Sequence, residues 1–429
     1  MNYIRLLRRN PEFTKLWVAQ VISLMGDWFN TIVLLGLVNE YSDGSGIAIS
    51  IFLLLRAIPP LIVAPIAGVL LDRLNRKNLL FMSNILRALI VPFYLLSNSP
   101  DTLWVIYVVT IAQFTLSALF EPGQTAIIPS LVHADDIIES NTLFSITWSV
   151  MLAVGAIIGG IFAFVFGASA ALMTDAATFA VAALMIGWID YNPEQGRKLA
   201  KQFGTEPNTE ENTSFLEGLR FIRHTPQMAA ALFVKFAQSL GTVDTLLTVF
   251  ATQLFVIGTR GEISQAILWS ALGIGAILGP VLTNIVNNGT IRHMRHLISV
   301  GFLMIIISFP MLALSKSLWF VALAILVRTM GGSIGWTYSN VIIQKTAPNA
   351  KLGRMFSIDW VGFHVAFAIT TLAHGALLDI LGIERINWII WGTMIVGLIP
   401  ALIWFWAVPQ LEQSEELVET IHVAPLQGE

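Results

Sequence analysis

The sequence predicts an all-α integral membrane protein of twelve transmembrane helices, in two six-helix halves related by a parallel repeat. Three observations carry that expectation. Hydrophobic residues make up 55% of the 429 and charged residues only 12%, against roughly a quarter charged in soluble domains. Apolar runs long enough to cross a bilayer succeed one another with short polar gaps. Two short motifs recur about half a chain later, each joining span n to span n+6.

A window of about 19 residues finds apolar runs at 14–38, 47–71, 78–97, 103–123, 138–166 and 168–189. After a polar stretch they resume at 228–256, 262–286, 296–315, 317–343, 354–380 and 386–408. Each can cross a hydrocarbon core that takes about 20 helical residues. The first run follows Arg5, Arg8, Arg9 and Lys15 and is full length. It reads as an anchored first span, because the apolar part of a cleavable leader is only about 7–15 residues.

Orientation follows from Lys and Arg in the gaps. With the N-terminus inside, seventeen fall on the cytoplasmic side, among them Arg73, Arg76, Lys77, Arg220, Arg223, Arg292, Lys345, Lys351 and Arg354. Only Arg260, Lys316 and Arg385 fall outside. Both termini are therefore expected in the cytoplasm of a multi-pass protein, with a bacterial plasma membrane as its setting. The domain plan is a first half at 1–189, a cytoplasmic linker at 190–227 and a second half at 228–409. The tail at 410–429 carries Glu412, Glu415, Glu416 and Glu419 and is expected to be solvated and disordered.

The duplication is visible in two places. Leu143-Phe-Ser-Ile-Thr-Trp148 of the fifth span recurs as Met355-Phe-Ser-Ile-Asp-Trp360 of the eleventh. Leu16-Trp17-Val18 with Ser23-Leu24 recurs as Leu232-Phe233-Val234 with Ser239-Leu240. A parallel repeat of six helices implies two halves meeting around a midplane site.

Gly68-Val-Leu-Leu-Asp72-Arg73-Leu-Asn-Arg76-Lys77 puts one carboxylate and three cations at a turn between two spans. It matches the Gly-x-x-x-Asp-Arg-x-x-Arg-Lys loop between the second and third helices of the major facilitator superfamily, which the chain resembles over nearly its whole length. Three further stretches are similar to the drug-exporter branch that includes macrolide and siderophore exporters. These are Asn10-x-x-Phe13-x-x-Leu16-Trp17, Ser23-x-x-Gly26-Asp27, and Ala126-Ile-Ile-Pro129-Ser-Leu-Val132 leading to Asn141. The antiporter pattern Gly-Pro-x-x-Gly-Gly stands here as Gly155-Ala156-Ile-Ile-Gly159-Gly160, without the proline. Its small residues suit close helix packing. The resemblance implies that Gly68, Asp72, Arg73, Arg76 and Lys77 form a conformational-switch loop, with Asp72 expected beside Arg354 at the start of span eleven.

Ionisable groups at bilayer depth cost at least about 2.5–3.5 kcal/mol each and call for a reason. The candidates are Asp27, Arg56, Glu121, Lys235, Asp244, Arg328, Asp359, His364 and His374. Asp27, Glu121, Asp244 and Arg328 lie on spans one, four, seven and ten, which line the central cavity in the family that the chain resembles. With Arg56 they are the transport and proton-coupling candidates. Asp27 and Arg56 reach similar depth and are expected to pair, as a proton site or as a structural lock between helices. Glu121 either faces the cavity or pairs with Arg73 or Arg76. Lys235 and Asp359 lie nearer the cytoplasmic ends and are expected to snorkel. Asp244 is the expected counter-ion of Arg328, with a substrate oxygen as the alternative. The two histidines read as packing groups, and Trp28, Trp336 and Trp360 as core or cavity lining.

No enzyme is expected. His-Glu-x-x-His is absent, cysteine is absent, and Gly273-x-Gly275-x-x-x-Gly279 lies within an apolar span rather than after a strand. No metal, no cofactor and no nucleic-acid partner are expected, and the small net charge of −3 by itself says nothing of such partners. Together with the resemblance, these features imply a monomeric, proton-coupled exporter of amphipathic small molecules, of drug, macrolide or siderophore type, working within the lipid bilayer. An uptake or facilitated-diffusion carrier, and a scaffold or lipid scramblase of the same fold, are the alternatives.

Overall fold

The computed structural model describes residues 3–191 and 215–423, helical almost throughout and without a strand among them. A short amphipathic helix, α1 (Tyr3–Arg9), leads into α2 (Pro11–Tyr41). There follow α3 (Gly46–Arg73), α4 (Arg76–Ile90), α5 (Leu103–Ile127), α6 (Ile137–Val150) and α7 (Ala156–Gly187). The later stretch contains α8 (Phe215–His224), α9 (Pro226–Ser239), α10 (Asp244–Val249), α11 (Glu262–Val286) and α12 (Ile291–Ala313). It ends with α13 (Leu318–Thr346), α14 (Asn349–Leu381) and α15 (Ile386–Val423). The helices begin where the chain offers a start signal. Pro11 occupies the first turn of α2, while Asn75, Thr290 and Ser317 accept backbone N–H groups of Asn78, His293 and Phe320.

Ten helical stretches among the described residues are long and apolar enough to span a membrane. They depart from the twelve expected runs at two places. The fifth and sixth runs form one stretch, Glu139–Gly187, in which the chain turns at Gly167 with φ 82° and ψ 170°, a conformation only glycine adopts freely. Span seven is interrupted instead. Helix α9 stops at Ser239 and α10 starts at Asp244, so neither piece reaches crossing length. Tight turns from Gly241 N to the Gln238 carbonyl and from Thr242 N to the Ser239 carbonyl finish α9.

The described residues group into two compact units. One contains residues up to 191 with 244–273 and 374–379; the other contains 215–243, 274–373 and 380–423. Each has its own apolar core, and the repeated motifs sit in them. Leu16, Leu143 and Phe144 share the first core, and Leu232 and Met355 share the second. Two of the branch-like motifs also meet. Buried Asn10 donates to the Leu6 carbonyl and to Asp136 Oδ2, and its Oδ1 accepts from His133 N at 3.0 Å. It thereby ties the N-terminal segment to the turn before α6.

The tail departs from expectation. Helix α15 continues through Pro409 to Val423 instead of ending in disordered chain. Glu412 explains the anchoring, because Arg292 Nε lies 3.3 Å and His296 Nε2 3.1 Å from its carboxylate.

Candidate functional site

The densest buried polar cluster lies in the first unit, where α2, α3, α4, α5 and α7 each contribute a side chain. Gly26 makes the approach of α7 possible. An added Cβ there would stand 2.0 Å from Thr178 Oγ1 and 2.6 Å from Asp175 Oδ1. Asp27, the next residue, accepts from Arg87 Nη2 at 3.3 Å on both oxygens. Gln113 Nε2 lies 3.5 Å from its Oδ1. Tyr94 donates to Gln113 Oε1 at 2.9 Å, and Asn30 Nδ2 bridges Gln113 Oε1 at 3.3 Å and Asp175 Oδ2 at 2.8 Å. One continuous polar path therefore runs from Asp27 to Asp175. Asp27 is its exposed end, with 27% of its side chain accessible, whereas Asp175 is fully buried.

The expected Asp27–Arg56 pair is replaced by Asp27–Arg87. Arg56 donates instead to Thr31 Oγ1 at 2.8 Å, one helical turn along α2 or about 6 Å by the helix rise. Its guanidinium lies over Phe114, 5.1 Å from the ring centroid, and that of Arg87 over Phe179 at 3.8 Å. Arg87 and Asp175 escaped the sequence reading, although both lie inside predicted spans. The depth criterion that selects Asp27 selects them equally.

A second charged cluster lies in the other unit. Lys235 and Asp359 form an ion pair with side chains 2% and 0% exposed. This corrects the expectation that both would snorkel to the cytoplasmic face. Lys235 also donates to Asn340 Oδ1 at 2.7 Å and sits 4.3 Å from the Trp336 ring centroid. Trp336 packs edge-on against Trp360 and Phe363, and His364 stacks on Trp360 while its Nδ1 lies 2.9 Å from the Trp360 carbonyl. Asn340 and Trp336 enclose the Lys235 ammonium, and position along the chain gives no sign of that enclosure.

Arg328 donates from Nε at 3.1 Å, and from Nη2, to the carbonyl of Gly241. That carbonyl lies at the interruption of span seven, where regular helix bonding stops. Asp244 is the first residue of α10 beyond the same interruption. Gln113, near the position that the repeat makes equivalent to Arg328, is buried within the first cluster.

The remaining sequence candidates divide by location. Gly155 and Gly159 meet Trp28, where added Cβ atoms would stand 2.3 Å from its Cδ1 and 2.9 Å from its backbone. Gly160 faces Ala266, with an added Cβ 2.4 Å from the alanine Cβ. Arg76 donates to the Ala126 carbonyl at 2.7 Å, and Lys77 lies close enough to Glu12 to act on its charge. Arg354 Nη1 is buried without a hydrogen-bond partner among the described residues. The side chains of Asp72, Arg73 and Glu121, and the surroundings of Gly68, lie outside the described residues. So does any Asp72–Arg354 contact. No group of three or more His, Cys, Asp or Glu suited to a metal occurs among the described residues.

Comparison with known proteins gives this cluster its setting. Residues 16–358 match the model of the Major Facilitator Superfamily. A proposed bacilysin exporter, BacE, of Bacillus subtilis (strain 168) is 27% identical over 81% of this chain and 84% of its own. Macrolide efflux protein A of Streptococcus pyogenes is 24% identical over 90% of this chain and 93% of its own. Similarity to an uncharacterized MFS-type transporter of Bacillus subtilis (strain 168), at 25% identity, spans 58% of that protein's length. Among solved structures, the nucleoside transporter NupG superposes on 92% of this chain and 98% of its own with a TM-score of 0.73. Its 12% identity makes that a likeness of fold alone. Apolar spans, a buried polar path across five helices and a family match over most of the sequence converge: the chain is a transporter that belongs to the Major Facilitator Superfamily, and it resembles the drug-exporter branch.

Proposed function

We propose that the protein exports amphipathic small molecules in exchange for protons, by alternating access, as a monomer in a bacterial plasma membrane. Both termini are cytoplasmic in this reading, and residues 190–227 link the half at 1–189 to the half at 228–409. The observation that carries it is the Asp27–Arg87 pair, continued by Gln113 and Asn30 to Asp175. Charge held at bilayer depth is costly, and a carboxylate at the accessible end of such a path is suited to change its protonation during a cycle. Efflux by the macrolide and bacilysin relatives supports the direction, and the apolar chain with few charges suits a mixed or apolar substrate.

The test is macrolide accumulation in drug-sensitive cells and in everted membrane vesicles, with and without a protonophore. Export should lower accumulation in cells and raise it in everted vesicles, and the protonophore should abolish both effects. Asp27→Asn should lose uphill transport yet keep downhill exchange. Retained uphill transport in that variant rules Asp27 out as an essential proton carrier, and growth loss on a single nutrient without drug sensitivity would indicate uptake.

A further inference from the structure

Asp175 ends the buried polar path, and its surroundings are unusual. Its side chain is fully buried on α7. Oδ2 accepts one hydrogen bond, from the neutral amide of Asn30 at 2.8 Å. Oδ1 has no hydrogen-bond partner among the described residues. An ionised carboxylate with an unsatisfied oxygen is strongly disfavoured away from water, whereas a neutral carboxylic acid tolerates the same place far better.

The neighbouring charges point the same way. Four titratable or charged groups act on Asp175: Asp27 from α2, Arg56 from α3, Arg87 from α4 and Tyr94 from the turn after α4. Both guanidinium groups are engaged elsewhere, Arg87 on Asp27 at 3.3 Å and Arg56 on Thr31 at 2.8 Å. Tyr94 donates to Gln113. Neither guanidinium donates a hydrogen bond to Asp175 among the described residues, although both charges act on it, and the negative charge of Asp27 acts on it as well across the close approach that Gly26 allows. Two carboxyls facing each other do not both ionise readily, and their protons belong to the pair.

We propose that Asp27 and Asp175 form one proton-binding site, in which Asp175 holds the proton while Asp27 stays ionised against Arg87. It rests on the proton-coupled reading above and names the group that stores the proton. Release needs one proton and one exchange of partners. Arg87 leaves Asp27 for Asp175, the O–H bond of Asp175 breaks and an O–H bond forms on Asp27. The charge of the pair is unchanged, and the proton now sits at the accessible end of the path. Asp27 is thus the mouth of the site and Asp175 its store, with the Asn30 and Gln113 amides between them. Arg87 is the positioning residue that decides which carboxyl is ionised.

The experiment is infrared spectroscopy of the full-length protein in lipid nanodiscs, without substrate, reading the carbonyl stretch of a protonated carboxylic acid. Aspartate carrying a heavy carbon isotope separates its band from that of glutamate. At neutral pH the wild type should show a protonated aspartate band, and Asp175→Asn should lose it while keeping its melting temperature, since a neutral amide mimics a neutral acid. Asp27→Asn removes the facing negative charge and frees Arg87, so the band should be largely lost at the same pH. If the wild type shows no band, or the band survives Asp175→Asn, the proposal fails. A band unaffected by Asp27→Asn shows two independent carboxyls and also overturns it. Should Asp175→Asn fail to fold, an ionised structural Asp175 is indicated, and the wild-type band and Asp27→Asn decide the point without it. Sodium that erases the band at fixed pH reassigns the site to a cation and overturns the proton assignment. A band that behaves as expected, in a protein whose macrolide export ignores a protonophore, upholds the site and removes the export reading alone.

Discussion

Lys235 and Asp359 illustrate how two substitutions inside a repeat change its chemistry, Asp359 standing where the first half has Thr147 and Lys235 where it has Ala19. In the fifth span, Thr147 Oγ1 accepts a hydrogen bond from Trp17 Nε1 of span one at 2.8 Å. The matching position of span eleven is Asp359, and it takes Lys235 of span seven. A neutral bond has become a buried ion pair at the same station of the fold. Removing one partner of such a pair costs about 3–5 kcal/mol, because the other charge is left bare, whereas replacing both by apolar groups is often neutral. Asp359→Asn should therefore lower the melting temperature of the purified protein sharply, and Lys235→Met with Asp359→Leu should recover most of the loss. If the double variant melts no higher than the single one, the pairing is not what stabilises this region. Arg328 poses a related question through the carbonyl of Gly241. Arg328→Ala leaves that buried acceptor without its guanidinium, a loss of about 1–3 kcal/mol. A variant that folds normally and loses only substrate affinity would make Arg328 a direct ligand instead.

Among the helices, the N-terminal end of span two in the first unit is held by several contacts. Asp379 caps α3 from a different part of the chain: its carboxylate accepts from Gly46 N at 2.6 Å, Ser45 Oγ at 2.8 Å and Ile47 N at 3.3 Å. A carboxylate at a helix N-terminus satisfies free N–H groups and complements the helix dipole. Two glycines let the backbones touch there, since a Cβ on Gly46 would stand 2.8 Å from the Gly375 carbonyl oxygen. The neighbouring ends are joined as well, by Arg260 to Glu40 and by Gln253 Nε2 to Asn39 Oδ1 at 2.7 Å. Asp379→Ala should cost about 0.5–2 kcal/mol, as loss of a cap does. It should also quicken labelling of a cysteine introduced as Ser42→Cys, which reads cleanly because the chain has no native cysteine. Unchanged labelling would mean that this cap does not hold the end of span two closed.

On the scale of the molecule, the two units divide the chain differently from its two sequence halves. The chain passes from one unit to the other between Val243 and Asp244, at the interruption of span seven. A broken membrane helix is tolerated where its freed backbone groups find partners, and the Arg328–Gly241 bond supplies one. The break is thus a place where a crossing helix can bend without losing all its hydrogen bonds. The proposed switch loop acts on the same scale. Asp72→Asn should cut macrolide transport in vesicles while leaving macrolide binding to the purified protein nearly intact. If transport survives unchanged, the loop serves only to set topology.

Composition and hydropathy were sufficient for the class and most of the span boundaries, because burial in a bilayer is written along the chain as runs of about 20 apolar residues. They also flagged Asp27, Arg56, Lys235, Asp359 and Arg328 as charges needing a reason. What they left open was the partner of each. A helix turns about 100° per residue, so two charges at equal depth face each other only if helix rotation and packing bring them round. Arg56 shares its depth with Asp27 but meets Thr31, and Arg87 reaches Asp27 from α4. The fully buried Asp175 came close to Asp27 only through the contact of α7 with α2 at Gly26. Cost of burial can be read from one dimension, whereas pairing depends on the rotation of each helix about its axis, and tertiary packing alone decides that.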